Sequence, residues 1–86
     1  MTILPSVASI MLMQERLRTR REAMGLSARE LGRRSGVAET HVSLIERGTI
    51  VEPRTATVKA LAEALECEPA WLMFDAGDPP EPPVAT

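Results

Sequence analysis

Residues 27–48, SARELGRRSGVAETHVSLIERG, constrain this chain more than any other stretch, because they start, stop, restart and stop a helix within 22 residues. Ser27 followed by Glu30 and Leu31 is a capping-box pattern, in which the hydroxyl accepts from the backbone N–H three residues on and the carboxylate reaches back. A helix is therefore predicted from about Ala28, with Ala28 and Leu31 inward. It ends near Ser35, because Gly36 takes the left-handed conformation without a side-chain clash. Beyond that turn, Val37, Ala38, Val42 and Ile45 recur at helical spacing, and Gly48 closes a second helix. Its other face carries Glu39, Thr40, Ser43, Leu44 and Arg47, mostly short polar groups that fit a DNA major groove. Periodicity alone fits a solvated surface helix in any small bundle equally well.

Eighty-six residues make one small domain. With one Trp, one Phe and no Tyr among plentiful Ala, Leu and Val, the composition suits packed short helices rather than strands. An all-α fold is expected: a compact bundle of about five short helices with a helix-turn-helix in helices 2 and 3. The net charge of −2 is unevenly spread. Residues 13–54 carry nine Arg against six Glu, a balance of +3, whereas residues 55–86 carry one Lys against six acids, a balance of −5. Basic charge gathers around the two helices, as a footprint for phosphates should.

Cys67 is the only cysteine and His41 the only histidine, which leaves neither an intramolecular disulfide nor ordinary structural zinc ligation, and no cofactor is implied. The lone thiol fits a reducing cytoplasm. No stretch reaches transmembrane length, so no membrane partner is expected. Residues 1–11 contain Pro5 and no basic residue; they read as an apolar arm rather than a signal peptide. Residues 76–86, acidic and proline-rich, read as a disordered tail or the stump of a linker, which leaves 12–75 as the domain.

The order of several short motifs is more specific than any one of them. Arg21, Gly25, Leu26 and Ser27, then Glu30-Leu31, Gly36-Val37, Ile45-Glu46-Arg47-Gly48, Pro53-Arg54, and Leu61-Ala62-Glu63-Ala64-Leu65 with Trp71-Leu72 follow one another across residues 16–74. This set resembles the helix-turn-helix domain of lambda-repressor-like and Cro-like bacterial and phage regulators, over roughly two thirds of the chain.

The resemblance implies a partner, a double-stranded DNA operator, and roles for individual residues. Ala38, Glu39, Thr40, Ser43 and Leu44 stand where relatives approach base edges. Of these, Glu39 can accept from cytosine N4 but repels phosphate. Arg29, Arg33, Arg34, His41, Arg47 and Arg54 are expected at phosphates or in a minor groove. Two positions depart from the family pattern: Ala28 replaces the usual phosphate-contacting Gln, and Ala38 replaces the usual Ser or Thr cap. Arg21 and Glu46 are expected to pair and lock the first helix to the third, while Arg16, Arg18 and Arg20 read mostly as a solvated face. Ile50 and Val51 are expected to anchor the following loop. Trp71 is expected to close the core, leaving Leu72, Met73 and Phe74 for a homodimer interface.

The implied function is a dimeric repressor of bacterial, plasmid or phage promoters. The alternative is an antitoxin or another protein-interaction module on the same fold, with a toxin as partner. An enzyme is not expected, because no nucleophile, base and orienting group stand together.

Overall fold

The computed structural model describes residues 12–82. Expectations for residues 1–11 and for the last four residues of the tail lie outside the described residues. Among these described residues five helices follow in order: α1 Met13–Ala23, α2 Ala28–Ser35, α3 Glu39–Glu46, α4 Thr55–Ala64 and α5 Pro69–Phe74. No strand occurs among the described residues.

The local signals act as their chemistry dictates. Ser27 Oγ accepts from the Glu30 N–H at 3.0 Å, and the Ser27 N–H donates to Glu30 Oε1 at 2.9 Å, which fixes the start of α2. The bond from the Ser27 backbone N–H, followed by the Ser27 side chain, holds the Glu30 carboxyl below its ordinary pKa. The stabilisation is therefore present above the ordinary carboxylate range and is lost as pH falls through the lowered value. Gly36 ends α2 at φ 81°. The fourth helix stops at Ala64: Leu65 caps it and Glu66 turns to φ 55°, so Leu65 reaches the core from the cap rather than from within the helix.

The core is formed by Leu17, Leu26, Leu31, Val42, Ile45, Val58, Leu61, Ala62, Leu65 and Leu72. Helix α2 packs on α3 and α4, α5 packs on α4, and α1 packs on both α3 and α5, so every helix contributes to one shared interior.

Three expectations are corrected here. Arg16 and Arg20 are not solvated: each is buried, at 5% and 6% exposure. Arg16 Nε donates to the Leu72 carbonyl at 3.0 Å and Arg20 Nε to the Leu65 carbonyl at 2.9 Å. Both carbonyls belong to helix ends that lack an intrahelical partner, so the two guanidinium groups satisfy them and draw the ends of α4 and α5 onto α1. Burial lowers the Arg16 pKa from its ordinary value, partly offset by Asp75. Leu72 is completely buried, because it is the residue with which the short α5 reaches the core. Val51 is 76% exposed and anchors nothing, while Ile50 alone packs against the core. Trp71 is partly buried against the same core.

Gly32 sits where α2 crosses the start of α3. A Cβ there would lie 2.7 Å from the Val37 carbonyl oxygen and 3.3 Å from the Glu39 nitrogen, both backbone atoms that cannot swing away. Gly32→Ala should therefore lower stability by about 1–3 kcal/mol through overpacking, despite a helix-propensity gain of about 1 kcal/mol. Urea denaturation measures this, and an unchanged or higher midpoint would contradict the close crossing.

Candidate nucleic-acid interface

Helix α3 turns one face to the core and the other outward. Val42, Ile45 and Glu46 are buried; Glu39, Thr40 and Arg47 are exposed, and Ser43 and Leu44 are partly so. At helical spacing Thr40, Ser43, Leu44 and Arg47 form one accessible stripe along the helix, with Glu39 and Ala38 exposed at its head. His41 is partly buried beside that stripe.

The turn before α3 is held by side-chain and backbone bonds. Ser35 Oγ donates to the Leu31 carbonyl at 2.7 Å and accepts from the Val37 N–H at 3.2 Å, which guides the chain out of α2. No side chain caps α3, since its cap residue is Ala38. Its first-turn N–H groups thus remain available, and they carry the positive end of the helix dipole. After α3, the Thr49 and Ile50 N–H groups both donate to the Leu44 carbonyl, at 2.9 and 3.1 Å, folding the loop back over the helix end.

A two-pronged contact fixes α3 against α1. Arg21 Nε donates to Glu46 Oε2 at 2.7 Å and Arg21 Nη2 to Glu46 Oε1 at 2.8 Å, while Nη1 donates to the Leu26 carbonyl at 2.9 Å. Glu46 is buried and the Arg21 side chain only 14% exposed. The hydrogen bonds to Glu46 raise the Arg21 pKa against the opposing effect of burial.

The sequence-predicted cations fall into separate groups. Arg29 and Arg33 border an open groove whose remaining wall is Gly32, Gly36, Val37, Ala38 and Glu39, which places two guanidinium groups beside the head of α3. Arg34 stands with Arg33 and Glu30 on the outer side of α2. Arg47 lies at the opposite end of α3, and Arg54 is exposed as the cap residue of α4, directly after the buried Pro53. Of the residues expected at a dimer interface, Leu72 is committed to the core, Met73 is partly buried against it, and Phe74 is 71% exposed. Sequence reasoning missed the carbonyl-clamping roles of Arg16 and Arg20. The signal was positional: Met13, Arg16, Leu17, Arg20 and Met24 share a single helical face. Among the described residues, no group of three or more His, Cys, Asp or Glu side chains is placed to hold a metal ion, and no helix is long and apolar enough to cross a membrane.

Comparison with known proteins places this geometry. Residues 17–72 match a family model described as helix-turn-helix. The HTH-type transcriptional repressor RghR of Bacillus subtilis is 43% identical over 63 residues, which are 73% of this chain and 47% of RghR. The HTH-type transcriptional regulator DicA of Escherichia coli is 37% identical over 71 residues, 81% of this chain and 52% of DicA. The chain spans between 27% and 52% of the length of such curated relatives. Among solved structures, the c2 repressor of Salmonella phage P22 in complex with a synthetic operator superposes with a TM-score of 0.70 at 35% identity, covering 76% of this chain and 97% of that one.

Removing Glu46 should strand Arg21 in a largely dry site. Glu46→Ala is expected to cost about 3 kcal/mol, the low end for breaking a buried pair because Arg21 keeps some solvent. Replacing both partners together, Arg21→Met with Glu46→Met, should cost clearly less. Urea denaturation of the single and double variants decides this, and equal losses would contradict a specific pairing.

Proposed function

The chain belongs to the helix-turn-helix family, and on that premise we propose that it is a sequence-specific regulator of transcription that binds double-stranded DNA. It acts as a homodimer and represses by occluding a promoter in the cytoplasm. The observation that carries this reading is the outward stripe of α3, held rigidly from behind by Val42, Ile45 and Glu46. A solved relative, the P22 c2 repressor, was determined with its operator DNA bound, which supports the same use of the same fold.

In this reading α3 enters the major groove. Glu39 accepts from a cytosine N4 amino group, Thr40 meets a thymine methyl group, and Ser43 bonds to an adjacent base edge. Ala38 and Leu44 offer only apolar contact. Arg29 and Arg33, beside the uncapped head of α3, hold a backbone phosphate together with the helix N–H groups. They stand in for the contact that a polar side chain at Ala28 would provide. Arg34 and His41 supply further phosphate contacts, Arg47 takes one at the far end of α3, and Arg54 reaches a phosphate or a narrowed minor groove. A helix with so few bidentate readers leaves part of the discrimination to DNA shape. The dimer forms through Phe74 and Met73, without Leu72, and sets two copies of α3 roughly 34 Å apart, one helical turn of DNA.

The roles of Glu39 and Arg54 separate in a binding assay across a panel of duplexes. Glu39→Ala should change the order of preference among sequences, whereas Arg54→Ala should weaken all of them by a similar factor. Identical effects of the two substitutions on preference would contradict this assignment.

A further inference from the structure

Three arginines of α1 that look alike in the sequence have different fates. Arg16 and Arg20 are buried and donate to helix-end carbonyls. Arg18 points the other way, with its side chain 54% exposed and its Nε 3.7 Å from Glu46 Oε1. The Glu46 carboxylate therefore touches two guanidinium groups. It is fully engaged by Arg21 through hydrogen bonds and holds Arg18 only by a longer electrostatic contact. That arrangement parks Arg18 at the C-terminal end of α3 while leaving its terminal nitrogens free to take another anion.

The surroundings form a cleft. Gln14, Glu15, Arg18 and Thr19 on α1 face Glu46 and Arg47 across an open trough. Of its acids, Glu46 is paired with Arg21, and Glu15 is exposed to solvent and turned back to the start of α1, where the Leu12 N–H donates to its Oε1 at 3.4 Å. Its cations, Arg18 and Arg47, are both exposed. The Gln14 amide lies over Gly48 so closely that a Cβ there would be 3.0 Å from Nε2, and the first turn of α1 thereby abuts the end of α3. Arg47 lies one turn beyond Ser43 and Leu44 on the accessible stripe, so the cleft continues the surface that α3 presents.

We propose that this cleft binds a backbone phosphate of the duplex, with Arg18 as an affinity-determining contact from α1 and with Gln14, Thr19 and Arg47 as its neighbours. The inference rests on the DNA-binding reading above and adds α1 to the contact surface. Guanidinium suits the task because its planar fork meets two phosphate oxygens at once. Glu46 acts as a positioning residue: one carboxylate sets α3 through Arg21 and aims the phosphate contact through Arg18.

The test is the salt dependence of duplex binding by the whole chain and by Arg18→Gln, Arg18→Lys and Arg54→Ala, with thermal melts to verify folding. Arg18→Gln should weaken binding to every duplex by a similar factor and make the slope of log K against log salt shallower by about 0.9, one phosphate's worth. Arg18→Lys keeps the charge and should restore the slope. A slope unchanged in Arg18→Gln, on duplexes that the parent chain binds and Arg54→Ala binds less well, would overturn the cleft and leave the DNA-binding reading standing. A parent chain that binds no duplex would overturn both.

Discussion

The geometry of everything α3 presents depends on the contact between Arg21 and Glu46. An eight-residue helix with no side-chain cap has no independent stability in water, so tertiary contacts must supply both its existence and its orientation. Val42 and Ile45 supply the first through burial, which is strong but non-directional. The paired hydrogen bonds at 2.7 and 2.8 Å supply the second, because a planar guanidinium meets a carboxylate in only a narrow range of angles. Arg21 also holds the Leu26 carbonyl, so the same side chain ties the turn before α2 to the end of α3. Gly32 completes the frame by allowing α2 to cross the head of α3 at backbone contact.

Charge follows from this frame. Of the nine arginines, Arg16 and Arg20 are consumed by helix-end carbonyls and Arg21 by Glu46. The others, Arg18, Arg29, Arg33, Arg34, Arg47 and Arg54, are all exposed. A net negative chain thus presents its exposed arginines around α2, around both ends of α3 and at the head of α4, where polyanion binding needs them. Arg20 also donates to the Glu81 carbonyl at 2.9 Å, which lays the acidic segment after α5 against α1.

Much of the fold was legible because its signals are local. Ser27 with Glu30 fixes where α2 begins, Gly36 where it ends, and the spacing of Val42 and Ile45 the inner face of α3; each is decided within one or two turns of chain. The pairing of Arg21 with Glu46 is long-range and was expected only through family resemblance. What escaped was decided by partners far along the chain. Nothing near Arg16 or Arg20 reveals that the carbonyls of Leu72 and Leu65, 56 and 45 residues away, need donors. The apolar run after Pro69 does not say which residue faces inward, since a six-residue helix has too few turns to display a period; burial selected Leu72 and left Phe74 outside. Val51 misled for a similar reason, because a β-branched residue beside Ile50 looks like a second anchor until the loop's path over Leu44 is known.

The central claim, that the outward stripe of α3 reads duplex DNA in a two-fold arrangement, is tested most directly by selecting bound sequences from a random double-stranded pool at about physiological salt. The account predicts enrichment of a two-fold symmetric motif with half-site centres about 10 base pairs apart. A pool that emerges with no motif after several rounds would contradict it.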